Sequence, residues 1–327
     1  MNESTLPIYF APLEGVTDGI FRRTHFEFFG GVSKYYIPFI SPTQHLAFTS
    51  REQRSVSPAE NAGLPVVPQV LAGRASHFAG TAKLLFDLGY SEVNLNLGCP
   101  SGTVTAKHKG SGLLRDLNEL RAFLDEVFTS ISGGSVSVKT RIGFESADEW
   151  DAIWAVLRDY PFMECIVHPR TRSQFYKGSP CTDAFARTAE ARFPCAYNGD
   201  LNTLSDCRAI AERFPHTSAL MLGRGLVANP ALARQWQGGK GLSKLELKAF
   251  CDALLARYEA QWPHKAVLGH MQETMRYILC CFDEPKREQR ALRKVRTVEE
   301  YQGVIDRLFA ECELRAEPCF ALDRMSL

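Results

Sequence analysis

Polar residues and glycines recur at the ends of short apolar runs along this chain, and each cluster holds groups able to bind or transform a ligand. The first run ends Ala11-Pro12-Leu13-Glu14-Gly15, the third carries Gln69, and the fourth ends Asn94-Leu95-Asn96-Leu97-Gly98-Cys99-Pro100. The fifth ends Lys139-Thr140-Arg141, the sixth His168-Pro169-Arg170-Thr171, the seventh Asn198-Gly199-Asp200 and the eighth Gly223-Arg224-Gly225. Cys99 stands apart from the other nine cysteines. It opens a loop, 101–112, that holds Lys107, His108, Lys109, Gly110 and Gly112. A thiol on a loop over a site can donate a proton without being a nucleophile. The competing reading is the usual one for cysteine, a small buried hydrophobe. Gly199 and Gly223 allow close backbone approach and Arg224 can pair with a phosphate; alone, each glycine would read as an ordinary turn. Lys139 could hold a positive charge against the anionic edge of a reduced flavin, or simply reach solvent. Gln69 could bond the same ring or a neighbouring backbone group, and His168 could be a satisfied core histidine.

Eight short runs position these clusters: 8–11, 34–40, 65–71, 92–97, 135–140, 165–168, 194–198 and 219–222. They recur about every 30 residues, are rich in Val, Ile and Tyr, and are apolar on both faces, as strands buried between helices must be. Helical periodicity fills 76–88, 117–130, 147–159 and 204–214, with Asp148-Glu149 and Ser205-Asp206 near helix starts, where the dipole favours acidic groups. Such alternation predicts a (β/α)8 TIM barrel over an open doubly wound sheet. In a barrel the C-terminal strand ends share one mouth, so the polar clusters converge, and loops after strands seven and eight commonly hold a phosphate. Before strand two the helix, 17–28, precedes the strand, and 41–63 reads as a long polar excursion.

The pattern ends near Gln235, and Gly238-Gly239-Lys240-Gly241 reads as a linker. Residues 244–261, 267–281, 284–293 and 298–313 are helical in pattern, which divides the chain into a barrel domain, 1–238, and a helical domain, 243–327. Lys286 to Arg296 has six basic residues in eleven; on a helix Lys286, Arg290, Arg293 and Lys294 share a face that could grip phosphates or be a solvated surface. Net charge is +1, so total charge points to no partner. No run approaches the 18 apolar residues of a membrane span, and the first ten residues lack the pattern of a secretory leader. None of the ten cysteines forms a CxxC pair, so no metal site is expected, and reduced thiols point to the cytoplasm.

The motif Asn94-x-Asn96-x-Gly98-Cys99-Pro100, followed by Val104, Gly110 and Leu113-Leu114, resembles the signature of the tRNA-dihydrouridine synthases. Ala11 to Gly15 with Thr17-Asp18, Lys139-x-Arg141-x-Gly143, His168-x-Arg170-Thr171, Asn198-Gly199-Asp200 and Gly223-Arg224-Gly225 match in order and spacing. The resemblance implies FMN in the mouth, reduced by NADPH, with hydride passing to C6 of a uracil and Cys99 protonating C5. It implies cofactor contacts from Gln69, Lys139, His168, Asn198, Gly199, Asp200, Gly223 and Arg224, and from the backbone of Pro12 and Leu13. Asn96, Arg141 and Arg170 would face the uracil. The partner would be tRNA, and a monomer is expected. A uracil in folded RNA must leave its stack to reach a flavin, which calls for a deep mouth and a docking surface. Three departures stand out. Pro169 replaces the usual glycine and removes an amide that could meet the flavin phosphate; Leu13 stands where methionine is common; and Lys107-His108-Lys109 is unusually basic. A barrel reductase of a free pyrimidine, and an RNA-binding protein without catalysis, remain the alternatives.

Overall fold

Eight short strands, each buried along nearly its whole length, can satisfy their backbone groups only by pairing with one another, and closing the sheet leaves no open edge. The computed structural model describes residues 5–320. β1 (Ile8–Phe10), β2 (Lys34–Ile40), β3 (Val66–Val70), β4 (Glu92–Leu97), β5 (Ser135–Gly143), β6 (Cys165–Thr171), β7 (Cys195–Asn198) and β8 (Ala219–Leu222) form a closed parallel barrel in chain order. β1 returns to β8 in the register Ile8↔Leu220, Tyr9↔Met221 and Phe10↔Leu222. The expected (β/α)8 barrel is the fold of this protein.

The two-residue period of a strand sorts its side chains. Ile8 and Phe10 join the large shell packed under the helices, while Tyr9, Tyr36, Val67, Ile166, Ala196, Ala219 and Met221 pack together inside the barrel. The same parity turns Glu92, Asn94 and Asn96 inward on β4, and Ser137, Lys139 and Arg141 inward on β5. The barrel floor is polar. The Tyr9 hydroxyl donates to Glu164 at 2.8 Å, and Lys34 Nζ pairs with Glu92 at 2.8 Å and Glu164 at 3.3 Å. Both carboxylates are buried, so the shared lysine is what makes their burial tolerable.

Strands β5 and β6 and the segment 41–63 differ from the sequence expectation. β5 and β6 each run three residues beyond the expected ends at 140 and 168, because Arg141↔His168 and Gly143↔Thr171 continue the ladder across a register shift. Arg141 and Arg170 therefore lie within strands, where polar residues hid the strand pattern. The excursion 41–63 holds one helix, Ser50–Ser55, closed by a Thr49/Glu52 capping box and burying no residue, so it has no apolar stripe to read.

The tail forms helices Lys244–Gln261, His264–Ile278, Lys286–Leu292 and Val298–Glu311. It continues the barrel's core rather than making one of its own. Phe250 sits with its ring centroid 5.1 Å from Phe29 and 5.8 Å from Phe21, and Tyr258 Oη donates to the Asp18 carboxylate at 3.0 Å. The basic segment is helical only to Leu292: Arg293 is its C-cap and Lys294 lies beyond, so the four basic residues do not form one helical face. All four are exposed, and Lys286 pairs with Glu284 at 2.9 Å. No described helix is long and apolar enough to cross a membrane.

Candidate active site

The inward residues near the C-terminal ends of the strands line one cavity of about 330 Å³, within the range of cofactor sites. Pro12, Leu13, Gln69, Asn96, Cys99, Lys139, Arg141, His168, Asn198, Gly199, Asp200, Gly223 and Arg224 all reach its wall. Of the expected barrel-site residues, only Arg170 does not. Its guanidinium donates to Asp200 at 2.9 and 2.6 Å and to the Gly178 carbonyl at 2.5 Å, so it holds Asp200 in place from behind the wall. None of Lys286, Arg290, Arg293 and Lys294 lines the cavity.

Cys99 is half-buried on the loop after β4 and lines the cavity together with Lys139 and Arg141. Its backbone is pinned on both sides. Asn96 Oδ1 accepts from the amides of Gly98 at 3.0 Å and Cys99 at 2.9 Å, and the Ser111 hydroxyl donates to the Cys99 carbonyl at 2.8 Å. Gly110 adopts φ +57°, and a Cβ there would stand 3.0 Å from Cys99 Cβ, so only glycine fits without moving the thiol. Burial raises the Cys99 pKa above its ordinary value; the Ser101 amide, Arg141 and Lys139 offset this only in part. At neutral pH the group is a thiol, the form that can give a proton.

Lys139 stands between Ser137 and Arg141 in the inward row of β5. Burial first, and then the neighbouring Arg141, bring its ammonium down to about 7. It has no carboxylate partner among the described residues, so an anionic group in the cavity would restore its charge. Arg141 donates to the carbonyls of Gly98 at 2.9 Å, Thr171 at 2.8 Å and Phe175 at 2.7 Å, tying the Cys99 loop to the loop after β6. Burial lowers its pKa to about 10, which leaves it charged at neutral pH. His168 lies among Arg141, Lys139, Arg170 and Arg224; burial and these cations hold it well below its usual value, so it is a neutral imidazole.

At the ends of β7 and β8, Asn198 Nδ2 donates to the Met221 carbonyl at 2.8 Å and fixes the two strands together. Gly199 and Gly223 both line the cavity, and a Cβ at Gly199 would lie 3.3 Å from the His168 ring. Arg224 pairs with Asp200 at 3.3 Å and lies between the rings of Tyr176 at 4.4 Å and Phe320 at 4.7 Å. Backbone contacts to a ligand from Leu13 are not available. Its amide donates to Thr17 Oγ1 at 2.8 Å and its carbonyl accepts from Val16 and Thr17, while Pro12 has no N–H and can offer a ligand only its carbonyl; both residues line the cavity.

Phe39, Tyr176 and Tyr277 also line the cavity and were not singled out in the sequence. Tyr176 sits in the loop that follows the His168 motif, a position the barrel rule could have flagged. Tyr277 comes from the tail helix His264–Ile278, and nothing local marks it.

The family model for dihydrouridine synthases matches residues 9–312, the barrel and most of the tail together. This chain belongs to the dihydrouridine synthase family. It is 31% identical over 237 residues to the tRNA-dihydrouridine(16) synthase of Aquipseudomonas alcaligenes, a match covering 70% of this chain and 75% of that one. It is 27% identical over 315 residues to a probable tRNA-dihydrouridine synthase 1 of Synechocystis, covering 93% and 86%. Among solved structures, morphinone reductase superposes with a TM-score of 0.51 at 10% identity over 73% of this chain and 87% of that one, a likeness of fold alone. As a dihydrouridine synthase family member the protein is a flavin-dependent oxidoreductase with FMN as cofactor. The cavity suits that cofactor: an ammonium without an acidic partner among the described residues, glycines at 199 and 223 in its wall, and Arg224 at the strand end where barrels bind phosphate.

Proposed function

We propose that this protein reduces the C5–C6 double bond of uridines in tRNA to 5,6-dihydrouridine, with NADPH as reductant and Cys99 as proton donor. The observation that carries the reading is a protonated thiol and an unpaired ammonium, Cys99 and Lys139, on the wall of one cavity. FMN, reduced by NADPH, supplies the hydride that adds to C6. Cys99 gives the proton that C5 takes up, so two electrons and two hydrogens enter the ring and the thiol is reprotonated from solvent. Lys139, Gln69 and His168 bind the flavin ring; Pro12 and Leu13 flank it; Asn198, Gly199, Gly223 and Arg224 hold the ribityl chain and phosphate, with Asp200 orienting Arg224. Asn96 and Arg141 hold the uracil. Residues 1–238 act as the catalytic barrel, and 243–327 as the part that docks RNA, with Lys286, Arg290, Arg293 and Lys294 on its phosphate-facing surface. The protein acts as a monomer in the cytoplasm.

The test is direct. Purified protein with FMN and NADPH is given tRNA from cells lacking dihydrouridine, and digested nucleosides are read by mass spectrometry. New dihydrouridine in tRNA, and none from free uridine, is expected. Reduction of free uridine at a comparable rate would favour a small-molecule reductase.

A further inference from the structure

A single file of hydrogen bonds runs up the inside of the barrel, from the ion pair in its floor to the amide of Cys99. The Ser137 hydroxyl donates to Glu92 Oε1 at 2.6 Å, and Asn94 Nδ2 donates to Ser137 Oγ at 2.8 Å. Gln69 Nε2 donates to Asn94 Oδ1 at 2.8 Å, and Asn96 Nδ2 donates to Gln69 Oε1 at 2.7 Å. Asn96 Oδ1 then accepts the amides of Gly98 and Cys99. Glu92, Asn94, Gln69, Ser137 and Asn96 are all buried, so water cannot replace a missing partner.

The two ends of this file fix its direction. A carboxylate paired with Lys34 can only accept, and a backbone amide can only donate. Between them stand a hydroxyl and three carboxamides, each able to face either way. Only one polarity satisfies both ends. Reversal would set Asn96 Nδ2 against two N–H groups and leave the Glu92 carboxylate facing a lone pair. An amide in a hydrogen-bond chain also strengthens its neighbour, so the order is cooperative.

We infer that Glu92, Asn94 and Ser137 are positioning residues for the reaction: their file locks the Gln69 and Asn96 carboxamides in one orientation and holds the Cys99 loop against it. The lock has a chemical consequence at the mouth. Both lone pairs of Asn96 Oδ1 and one of its N–H groups are taken, so Asn96 offers the cavity a donor and no acceptor. It is built to meet a carbonyl oxygen, as on uracil, and not an amino group, as on cytosine. Gln69 keeps one N–H and one lone pair for the other ligand.

The catalytic consequence rests on the proposed uridine reduction, while the positional one does not, so two readouts are needed. In FMN-loaded protein, Ser137→Ala removes one link without adding bulk. Losing one buried hydrogen bond of about 1.4 kcal/mol corresponds to about tenfold in an equilibrium or rate. Cys99 alkylation by iodoacetamide, followed by mass spectrometry, should therefore quicken by up to about tenfold. Dihydrouridine formation at saturating tRNA should fall by about the same factor, with KM for tRNA and flavin reduction by NADPH unchanged. Ser137→Thr, which keeps the hydroxyl, should restore both. Asn94→Leu, cutting the file one link higher, should repeat the result if Ser137→Ala fails to hold FMN. A lower melting temperature with Cys99 alkylation and turnover at wild-type values would overturn the inference. If wild-type protein forms no dihydrouridine at all, the proposed function fails and the alkylation result still decides the role of the file.

Discussion

Replacing Cys99 by alanine should separate the two halves of the reaction. Among the described residues the thiol meets only the Ser101 amide two residues on, and the loop is held through its backbone by Asn96 and Ser111. Cys99→Ala should thus bind FMN normally and pass hydride from NADPH to it at the wild-type rate. Protonation of C5 should suffer. A positioned general acid contributes roughly 10²–10⁴-fold. The structure points to the lower end, because one substitute acid shares the wall: Lys139, with its ammonium lowered to about 7, is partly protonated at neutral pH. His168 cannot substitute, being held neutral by burial and its cationic neighbours. A loss of about 10²-fold is therefore expected near pH 7. The residual activity should decline further at the pH where Lys139 gives up its proton, which an anionic reduced flavin moves upward from the value of about 7 set by burial and Arg141. Wild-type activity should behave differently. Its acid is the thiol, with a raised pKa, so activity stays level through neutral pH and falls only as alkaline pH ionises Cys99. Stopped-flow absorbance of the flavin separates the halves: bleaching by NADPH in one mix, recovery of colour on adding tRNA to pre-reduced protein in the other. Colour recovery in Cys99→Ala within about threefold of wild type, set against the range for a general acid, would refute the assignment of Cys99 as the donor.

Three other outcomes follow from the same geometry. Gly110→Ala must move either its own backbone or Cys99, since its Cβ would lie 3.0 Å from that of Cys99. A misplacement approaching 1 Å can cost about 10²-fold, so tRNA reduction should drop while NADPH oxidation continues, and unchanged turnover would argue against a tightly placed thiol. Lys139→Met should lower the midpoint potential of bound FMN, because the reduced ring loses its positive neighbour; a contact worth about 1.4 kcal/mol moves a two-electron couple by about 30 mV. A potential unchanged or raised in a dye-coupled titration would place the lysine elsewhere in the reaction. Arg290→Glu with Arg293→Glu should weaken tRNA binding and flatten its salt dependence, each lost phosphate contact reducing the slope by about one, with flavin reduction by NADPH intact; wild-type affinity and slope would remove this surface from RNA docking.

Much of the site was legible because a barrel converts position along the chain into position in space. β2, β4 and β8 have the bounds their apolar patterns give, and the two-residue period then sends Asn94, Asn96, Lys139 and His168 to the same interior as Gln69. Strands five and six read too short for a local reason: Arg141 and Arg170 are polar inside a ladder, and composition alone treats such residues as loop. The basic segment read too long, since charge shows no helix end and Pro285 and the C-cap at Arg293 set its limits.

Sequence determined the order of strands and helices, the glycines that the loops require, and the chemical groups brought to each strand end, because these depend on propensity and periodicity within a few neighbouring residues. Only the tertiary structure decided which of those groups are free to act. Arg170 and the Leu13 amide are the right types at the right spacing, yet Asp200, Gly178 and Thr17 have already taken them up. Tyr277 and the Glu92 end of the interior file bear on the site from places that no motif marks. A hydrogen-bond donor can satisfy only so many partners. Which partners it meets depends on contacts between residues far apart in the chain, and those exist only once the barrel has closed.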